Sequence, residues 1–183
     1  MQKLDHFKLP SSFRGKNALI CQLWWLVQSC LFATSPQFMY GWRNFLLRAF
    51  GANIGNGVIV RPTVRVTYPW KLTVGDFAWI GDHVELYTLS EISIGAHTVV
   101  SQRSYLCTGS HDPASRTFKI YAKPIIVEEG VWIATDVYVA PGVTIGRNAL
   151  VGARSSLLTD AKANFVYVGS PAKSIKQRVF EEA

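Results

Sequence analysis

The stretch Cys107-Thr108-Gly109-Ser110-His111-Asp112-Pro113 holds the side chains best suited to chemistry in this chain. A neutral imidazole is a suitable base near pH 7, and His111 has a carboxylate, Asp112, beside it. The pair suits removal of a proton from a weakly acidic group, with either Asp112 or a backbone carbonyl fixing the ring tautomer. A second chemistry competes. His83, His97 and His111 recur at intervals of fourteen, and three imidazoles can hold a zinc ion. Deciding between base and metal centre requires knowing which elements carry the three residues.

The carrier is a six-residue beat. Ile54, Val60 and Val66, then Val74, Ile80 and Leu86, then Ile94, Val100 and Leu106, then Val127, Ile133, Val139, Ile145, Val151 and Leu157 occupy one repeating position. An amphipathic helix needs apolar spacings of three and four, and an alternating strand needs two, so neither fits. A period of six fits a hexapeptide β-solenoid, in which three short sides make one coil and each side turns one aliphatic residue inward. Gly55, Gly75, Gly81, Gly95, Gly146 and Gly152 directly follow the inward position, where a small residue is expected to let the chain bend. The count predicts about five coils over residues 54–162, enough for stacking to bury a core.

Breaks in the beat are informative. The interval is eight from Val66 to Val74 and from Leu86 to Ile94, so two extra residues are expected at one edge of the first two coils. From Leu106 to Val127 it is twenty-one, which predicts an extruded loop near 111–125. Loops on a rigid scaffold are where function concentrates, and His111 stands at the base of this one. With Val74, Ile80 and Leu86 on sides one, two and three, His83 falls on side two, His97 on side one and His111 at the end of side three. Ligands within about 2 Å of one ion cannot sit on three faces of one solenoid, so no metal is expected within a chain. A zinc site shared between subunits stays open.

The remaining residues bound the alternatives. At 183 residues the chain is expected to form one domain with appendages: residues 1–53 helical and Trp-rich, 54–162 the β-helix, and 163–183 a short C-terminal tail. The formal charge of +7 is dispersed and no nucleic-acid-binding motif accompanies it, so no nucleic-acid partner is expected. Polyanionic ligands or an acidic membrane surface suit it better. Cys21, Cys30 and Cys107 lack metal-ligand spacing and read as buried reduced thiols of a cytoplasmic protein.

Residues 17–33 and 39–50 read as two helices, the first stopped near Pro36. Gln22, Gln28, Ser29, Trp24 and Trp25 within the apolar run argue against a signal peptide, and the run is short for a span. The helices are expected to pack on the open end of the solenoid or on a neighbouring subunit. The alternative is peripheral contact of residues 17–50 with the inner face of a membrane.

Four blocks carry a resemblance over nearly the whole chain. They are Gln22-Leu23-Trp24-Trp25-Leu26-Val27-Gln28, Tyr40-Gly41-Trp42-Arg43, the block from Arg61 to Leu72, and Tyr105-Leu106-Cys107-Thr108-Gly109-Ser110-His111-Asp112. With the hexads, they make the chain resemble the hexapeptide-repeat O-acetyltransferases, and within them the colanic acid biosynthesis acetyltransferase family. More distantly, His111, Pro113 and Lys123-Pro124 resemble the active-site loop of maltose and galactoside acetyltransferases.

The resemblance implies a left-handed parallel β-helix assembled as a homotrimer, although parallel β connections are normally right-handed. It implies acetyl-CoA in the groove between neighbouring subunits and direct acetyl transfer to a sugar hydroxyl in exopolysaccharide biosynthesis, with His111 as general base and a backbone N–H for the oxyanion. Carried over by position, Ala134 and Thr135 flank the pantetheine arm, with Gly152 and Ala153 one coil later. Thr159 and the segment Pro171, Ala172, Lys173, with Lys176 and Arg178, lie toward the nucleotide end. His83, Glu85, Tyr87 and Trp132 are acceptor candidates whose ordinary reading is outward polar and aromatic solenoid faces.

Two departures stand out. Leu158-Thr159-Asp160 replaces the Thr-Lys-Asp common in the family, leaving Lys162 as the nearest substitute. His83 aligns approximately with an asparagine of the maltose and galactoside enzymes. The rival readings are a zinc-dependent protein of the carbonic anhydrase type and a non-catalytic scaffold.

Overall fold

Each coil of the solenoid is three strands of two or three residues, the first being Asn53–Ile54, Ile59–Val60 and Arg65–Val66. The structure is a computed structural model that describes residues 1–10 and 13–181. Side one stacks Ile54, Val74, Ile94, Val127 and Ile145 in parallel register, and Ala161 closes it with one further bridge. Side two stacks Val60, Ile80, Val100, Ile133, Val151 and Tyr167. Side three stacks Val66, Leu86, Leu106, Val139 and Leu157. Five complete coils therefore carry a sixth that is begun but not closed.

Every one of the fifteen periodic aliphatic residues points inward and is buried. Each such side chain contributes about 1.5–3 kcal/mol over remaining exposed, and this column is the core. The extra pairs of residues fall at the corner from side three to side one, where a turn at Pro69–Lys71 lengthens the first coil.

The corners correct one expectation about glycine. The residue in the left-handed region is the third of the turn at these corners: Gly57, Phe77, His97, Gly130, Asn148 and Asn164 between sides one and two, with φ between 54° and 70°. His83, Arg103, Asp136 and Arg154 do the same between sides two and three. The glycine directly after the inward residue does not bend the chain; it lets coils stack closely. A Cβ on Gly75 would lie 2.6 Å from the backbone nitrogen of Ala96, and one on Gly95 would lie 2.5 Å from that of Glu129. His83 and His97 thus sit at corners following the sides on which the hexad register placed them.

Two helices close the N-terminal end. Asn17 caps α1 (Ala18–Val27) by accepting from the Ile20 N–H at 2.9 Å, a π-helical turn continues over Gln28–Phe32, and α2 spans Tyr40–Ala49. The first coil has no strand beneath it, so its edge groups need partners. Trp24 Nε1 donates to the Val66 carbonyl at 2.8 Å, Gln28 Oε1 accepts from the Val66 N–H at 2.7 Å, and Asn44 Nδ2 donates to the Val58 carbonyl at 2.8 Å. Arg43, fully buried, donates from Nε to the Val60 carbonyl and from its terminal nitrogens to Ser35, Pro36 and Gln37. Burial lowers its pKa from the ordinary arginine value.

At the other end, Phe165–Gly169 extends side two and Ala172–Gln177 returns antiparallel against it, so most of the C-terminal segment belongs to the solenoid. Cys21 and Cys107 are buried, but Cys30 is exposed, against the expectation of three buried thiols. Among the described residues no helix is long and apolar enough to cross a membrane.

Candidate active site

Where the third coil should turn from side three to side one, the chain leaves as a hairpin instead. Gly109–His111 pairs antiparallel with Ile120–Ala122, setting Ser110 opposite Tyr121 and His111 opposite Ile120. Buried Thr108 ties both ends to the solenoid. Its N–H donates to the Tyr87 carbonyl, its hydroxyl oxygen accepts from the Ser90 N–H at 2.9 Å, and its carbonyl accepts from the Lys123 N–H at 2.8 Å. The loop is a paired arm anchored on the coil.

His111 is half-buried near the hairpin's outer end, with Nδ1 2.7 Å from the Phe118 carbonyl oxygen. A carbonyl can only accept, so Nδ1 is the donor, and in the neutral imidazole Nε2 holds the lone pair. The imidazole stacks on the Phe118 ring with centroids 3.7 Å apart and planes at 14°. Phe118 has φ +55°, an unusual conformation for a bulky residue that costs on the order of 1–3 kcal/mol. That strained backbone points its carbonyl at the imidazole. Phe7 lies 6.0 Å from the same ring, and the Lys3 N–H donates to the Arg116 carbonyl at 2.7 Å, so the N-terminal segment packs on the arm.

Of the two orienting groups considered for His111, the carbonyl occupies the position. Asp112 Oδ1 accepts from the Ala114 N–H at 2.9 Å, and the Asp112 N–H donates to the Lys119 carbonyl. Asp112 therefore shapes the loop. A hollow of about 310 Å³ beside it is lined by Asp112, Pro113, Lys119, Tyr121 and Lys123.

Behind the hairpin runs an aromatic ladder on side three. Tyr87, Tyr105 and Tyr138 pack edge to face with centroids 6.0 and 5.9 Å apart. Burial pushes all three phenols above the ordinary tyrosine pKa, with Cys107 adding to the effect, so they stay protonated. Tyr138 and Phe118 escaped sequence reasoning, and Tyr105 entered it only within a block of resemblance. The tyrosines adjoin inward positions, a signal the hexad register could have yielded; a backbone carbonyl leaves none.

Ala134-Thr135 and Gly152-Ala153 form one column at the corner between sides two and three, joined by the Arg154 N–H donating to the Thr135 carbonyl at 2.9 Å. Thr135 Oγ1 donates to the Gln102 carbonyl one coil below. Charged residues run along the same corner: Arg61–Asp82 at 2.8 Å and Arg103–Asp136 at 2.8 Å. Burial alone would raise the Asp82 pKa, but hydrogen bonds from Arg61 and Thr63 outweigh it and hold the carboxyl below its ordinary value.

Thr159 lies after side three in the fifth coil, at another corner. Ser170 and Pro171 make the turn of the C-terminal hairpin, and Ala172 opens the returning strand opposite Gly169, with Lys173 opposite Val168 and Lys176 opposite Val166. Lys176 shares a groove of about 540 Å³ on side two with Trp132, Leu150, Arg178 and Phe180.

The acceptor candidates are dispersed. Trp132 is on side two with Nε1 donating to Ser101, Glu85 and Tyr87 are on side three, and His83 is at the corner between them. His83 also lines a groove of about 680 Å³ with Tyr40, Trp79, Arg61 and Arg103. Within one chain the corner column and the His111 hairpin leave from different corners. Among the described residues no three His, Cys, Asp or Glu side chains are grouped to hold a metal.

Stacked hexapeptide coils with an arm that presents one imidazole are the architecture of a hexapeptide-repeat protein. Residues 124–158 match the family model described as bacterial transferase hexapeptide (six repeats). The chain is 60% identical, over 182 residues and the full length of both proteins, to the Escherichia coli K12 protein named as colanic acid biosynthesis acetyltransferase WcaF. It belongs to that acetyltransferase family. It is also 28% identical to the galactoside O-acetyltransferase of Escherichia coli K12, over 74% of this chain and 68% of that one. Its fold is shared by the hexapeptide-repeat acetyltransferase VCA0836 of Vibrio cholerae O1 biovar eltor, solved with acetyl coenzyme A: TM-score 0.82, 24% identity, 91% of this chain and 92% of that one.

Proposed function

We propose that this acetyltransferase transfers acetyl from acetyl-CoA to a sugar hydroxyl during exopolysaccharide assembly of the colanic acid type, with His111 Nε2 as general base. The observation that carries this reading is the Nδ1–H···O=C bond to Phe118, which leaves Nε2 as an oriented lone pair. A sugar hydroxyl is too weak an acid to ionise near neutrality, so its proton must leave as the oxygen attacks the thioester carbonyl. Nε2 takes that proton. The Phe118 carbonyl stabilises the resulting imidazolium through Nδ1–H, and a backbone N–H faces the oxyanion. When the tetrahedral intermediate collapses, Nε2–H returns the proton to the departing CoA thiolate. No metal is needed, because the imidazole lone pair and the activated thioester supply the chemistry.

Acetyl-CoA supplies the activated acyl group, and its long, narrow arm suits the small-residue column Ala134, Thr135, Gly152 and Ala153. Thr159, Pro171, Ala172, Lys173 and Lys176 lie toward its nucleotide end, the two lysines facing its phosphates. The separation of column and hairpin onto different corners supports a homotrimer, in which one subunit's column faces a neighbour's His111. His83, Glu85, Tyr87 and Trp132 would then approach the acceptor from two subunits. We place the reaction in the cytoplasm, on a nucleotide-linked or lipid-linked precursor.

The test is release of free thiol from acetyl-CoA against a panel of sugar acceptors. The protein should turn over with at least one hydroxylated sugar. Hydrolysis of acetyl-CoA at the same rate with and without every acceptor would contradict the reading.

A further inference from the structure

We propose that the outward faces of α1 and α2, at the N-terminal end of the solenoid, form a docking surface for an anionic lipid bilayer. α1 is fixed in rotation by Trp24, Trp25 and Gln28, which hydrogen-bond to Val66 and Thr67 of the first coil. Its opposite face must therefore point away from the protein. That face carries Leu19, Leu23 and Leu26 at positions i, i+4 and i+7, with 80%, 52% and 60% of their surface exposed. Leu31 continues it into the π-helical turn and joins α2, because Trp42 Nε1 donates to the Leu31 carbonyl at 3.0 Å. Trp42 stacks in turn on Phe45, itself exposed.

Scattered exposed leucines need no explanation, but leucines aligned on one helix face and followed by Leu31 and Phe45 on the next elements do. α1 has ten residues and its continuation five. At about 1.5 Å per residue this is too short to span a bilayer, and it suits a helix lying in the interface.

Charge selects the occupant. Asp5 is the only carboxylate before Asp76, while Lys8, Arg14, Lys16, Arg48 and Arg65 fall in that interval. Lys16 lines an apolar groove with Ile20, Leu23 and Phe50, and Arg48 ends α2. A second copy on this face would bring cation against cation. An apolar stripe edged by cations and free of carboxylates fits acyl chains beneath anionic headgroups. α1 reaches the His111 arm only through its inward side, where Cys21 and Trp25 share a cluster with Ile120 and Ala122, and no residue of α1 or α2 lines the hollow beside Asp112, so docking and acetyl transfer are read out separately.

The experiment is co-sedimentation of the full chain with vesicles of equimolar phosphatidylglycerol and phosphatidylethanolamine. The protein should sediment at ~0.1 M salt, and its partition coefficient should fall at least about tenfold at ~1 M, where the Debye length shrinks to about 3 Å. Binding should be weak to phosphatidylcholine vesicles. The double variant Leu23→Glu, Leu26→Glu should lose sedimentation while keeping its melting temperature, oligomeric mass and turnover on soluble acceptors. Wild-type protein gives an independent reading: exposed Cys30, eleven residues after Leu19, can carry an environment-sensitive thiol dye whose emission should shift to the blue on anionic vesicles. Absence of sedimentation and of the dye shift overturns the proposal. So does equal binding to neutral vesicles, or loss of oligomeric mass in the double variant, which would make a second copy the occupant. Retained sedimentation by a folded double variant overturns it as well.

Discussion

The four-residue corners and the hairpin that interrupts the third coil both take the chain off one side of the solenoid, and they are built on opposite principles. A corner is fixed by what lies above and below it: Gly95 can carry no side chain because the backbone of Glu129 is in the way. The hairpin is fixed from within, by antiparallel pairing, by Thr108 at its base and by the Phe118 carbonyl at its outer end. Corners spend their residues on stacking, and residue types as different as Phe77, His97 and Asn148 serve the same left-handed position. Among the described residues the hairpin strands pair only with each other and with no coil, which leaves their side chains free for chemistry.

Breaking a corner should therefore cost stability, and breaking the hairpin should cost turnover. Gly95→Val forces side-chain atoms into the next coil and should lower stability by about 3 kcal/mol or more, read from denaturant unfolding; an unchanged midpoint would refute the close-stacking account. Phe118→Ala keeps the carbonyl but removes the ring under His111. It should lower kcat roughly tenfold with the KM for acetyl-CoA unchanged. A shift in KM alone would mean that the ring serves binding. Asp112→Asn leaves an amide oxygen for the Ala114 N–H and should change turnover by no more than about threefold, whereas a loss on the scale of general-base removal would give the carboxylate a direct role.

The smallest effect belongs to the corner charges. Asp82 has a folded pKa below its unfolded one, so its contribution is present above the unfolded value and is lost as pH falls through the folded value. Asp82 and Arg61 are both partly exposed, and solvent screening limits the pair to about 0.2–1 kcal/mol. Asp82→Asn should flatten the acid limb of the stability curve by no more than that.

The same contrast explains what the sequence could reveal. The inward aliphatic column was legible residue by residue, because a buried position repeated every six residues leaves a chemical signature. The long gap after Leu106 showed that a loop exists and that His111 begins it. Its internal order was not legible: the group that orients His111 is a main-chain carbonyl, which every residue possesses. Asp112, whose side chain does have a signature, turned out to face Ala114. The glycines were legible as a pattern but not as a cause, since bending and close stacking both call for a small residue. Trp24 and Gln28 were visible in the N-terminal segment, yet their use as substitute hydrogen-bond partners for the first coil depends on which edge groups the fold leaves open.

The central claim is that the hairpin supplies the base and the coils do not. The most direct measurement is turnover of His111→Ala at saturating acetyl-CoA, with coenzyme affinity and unfolding measured on the same preparation. Turnover should fall about a hundredfold or more while acetyl-CoA affinity and the unfolding midpoint stay at wild-type values. Turnover at the wild-type rate in the folded variant would contradict the account.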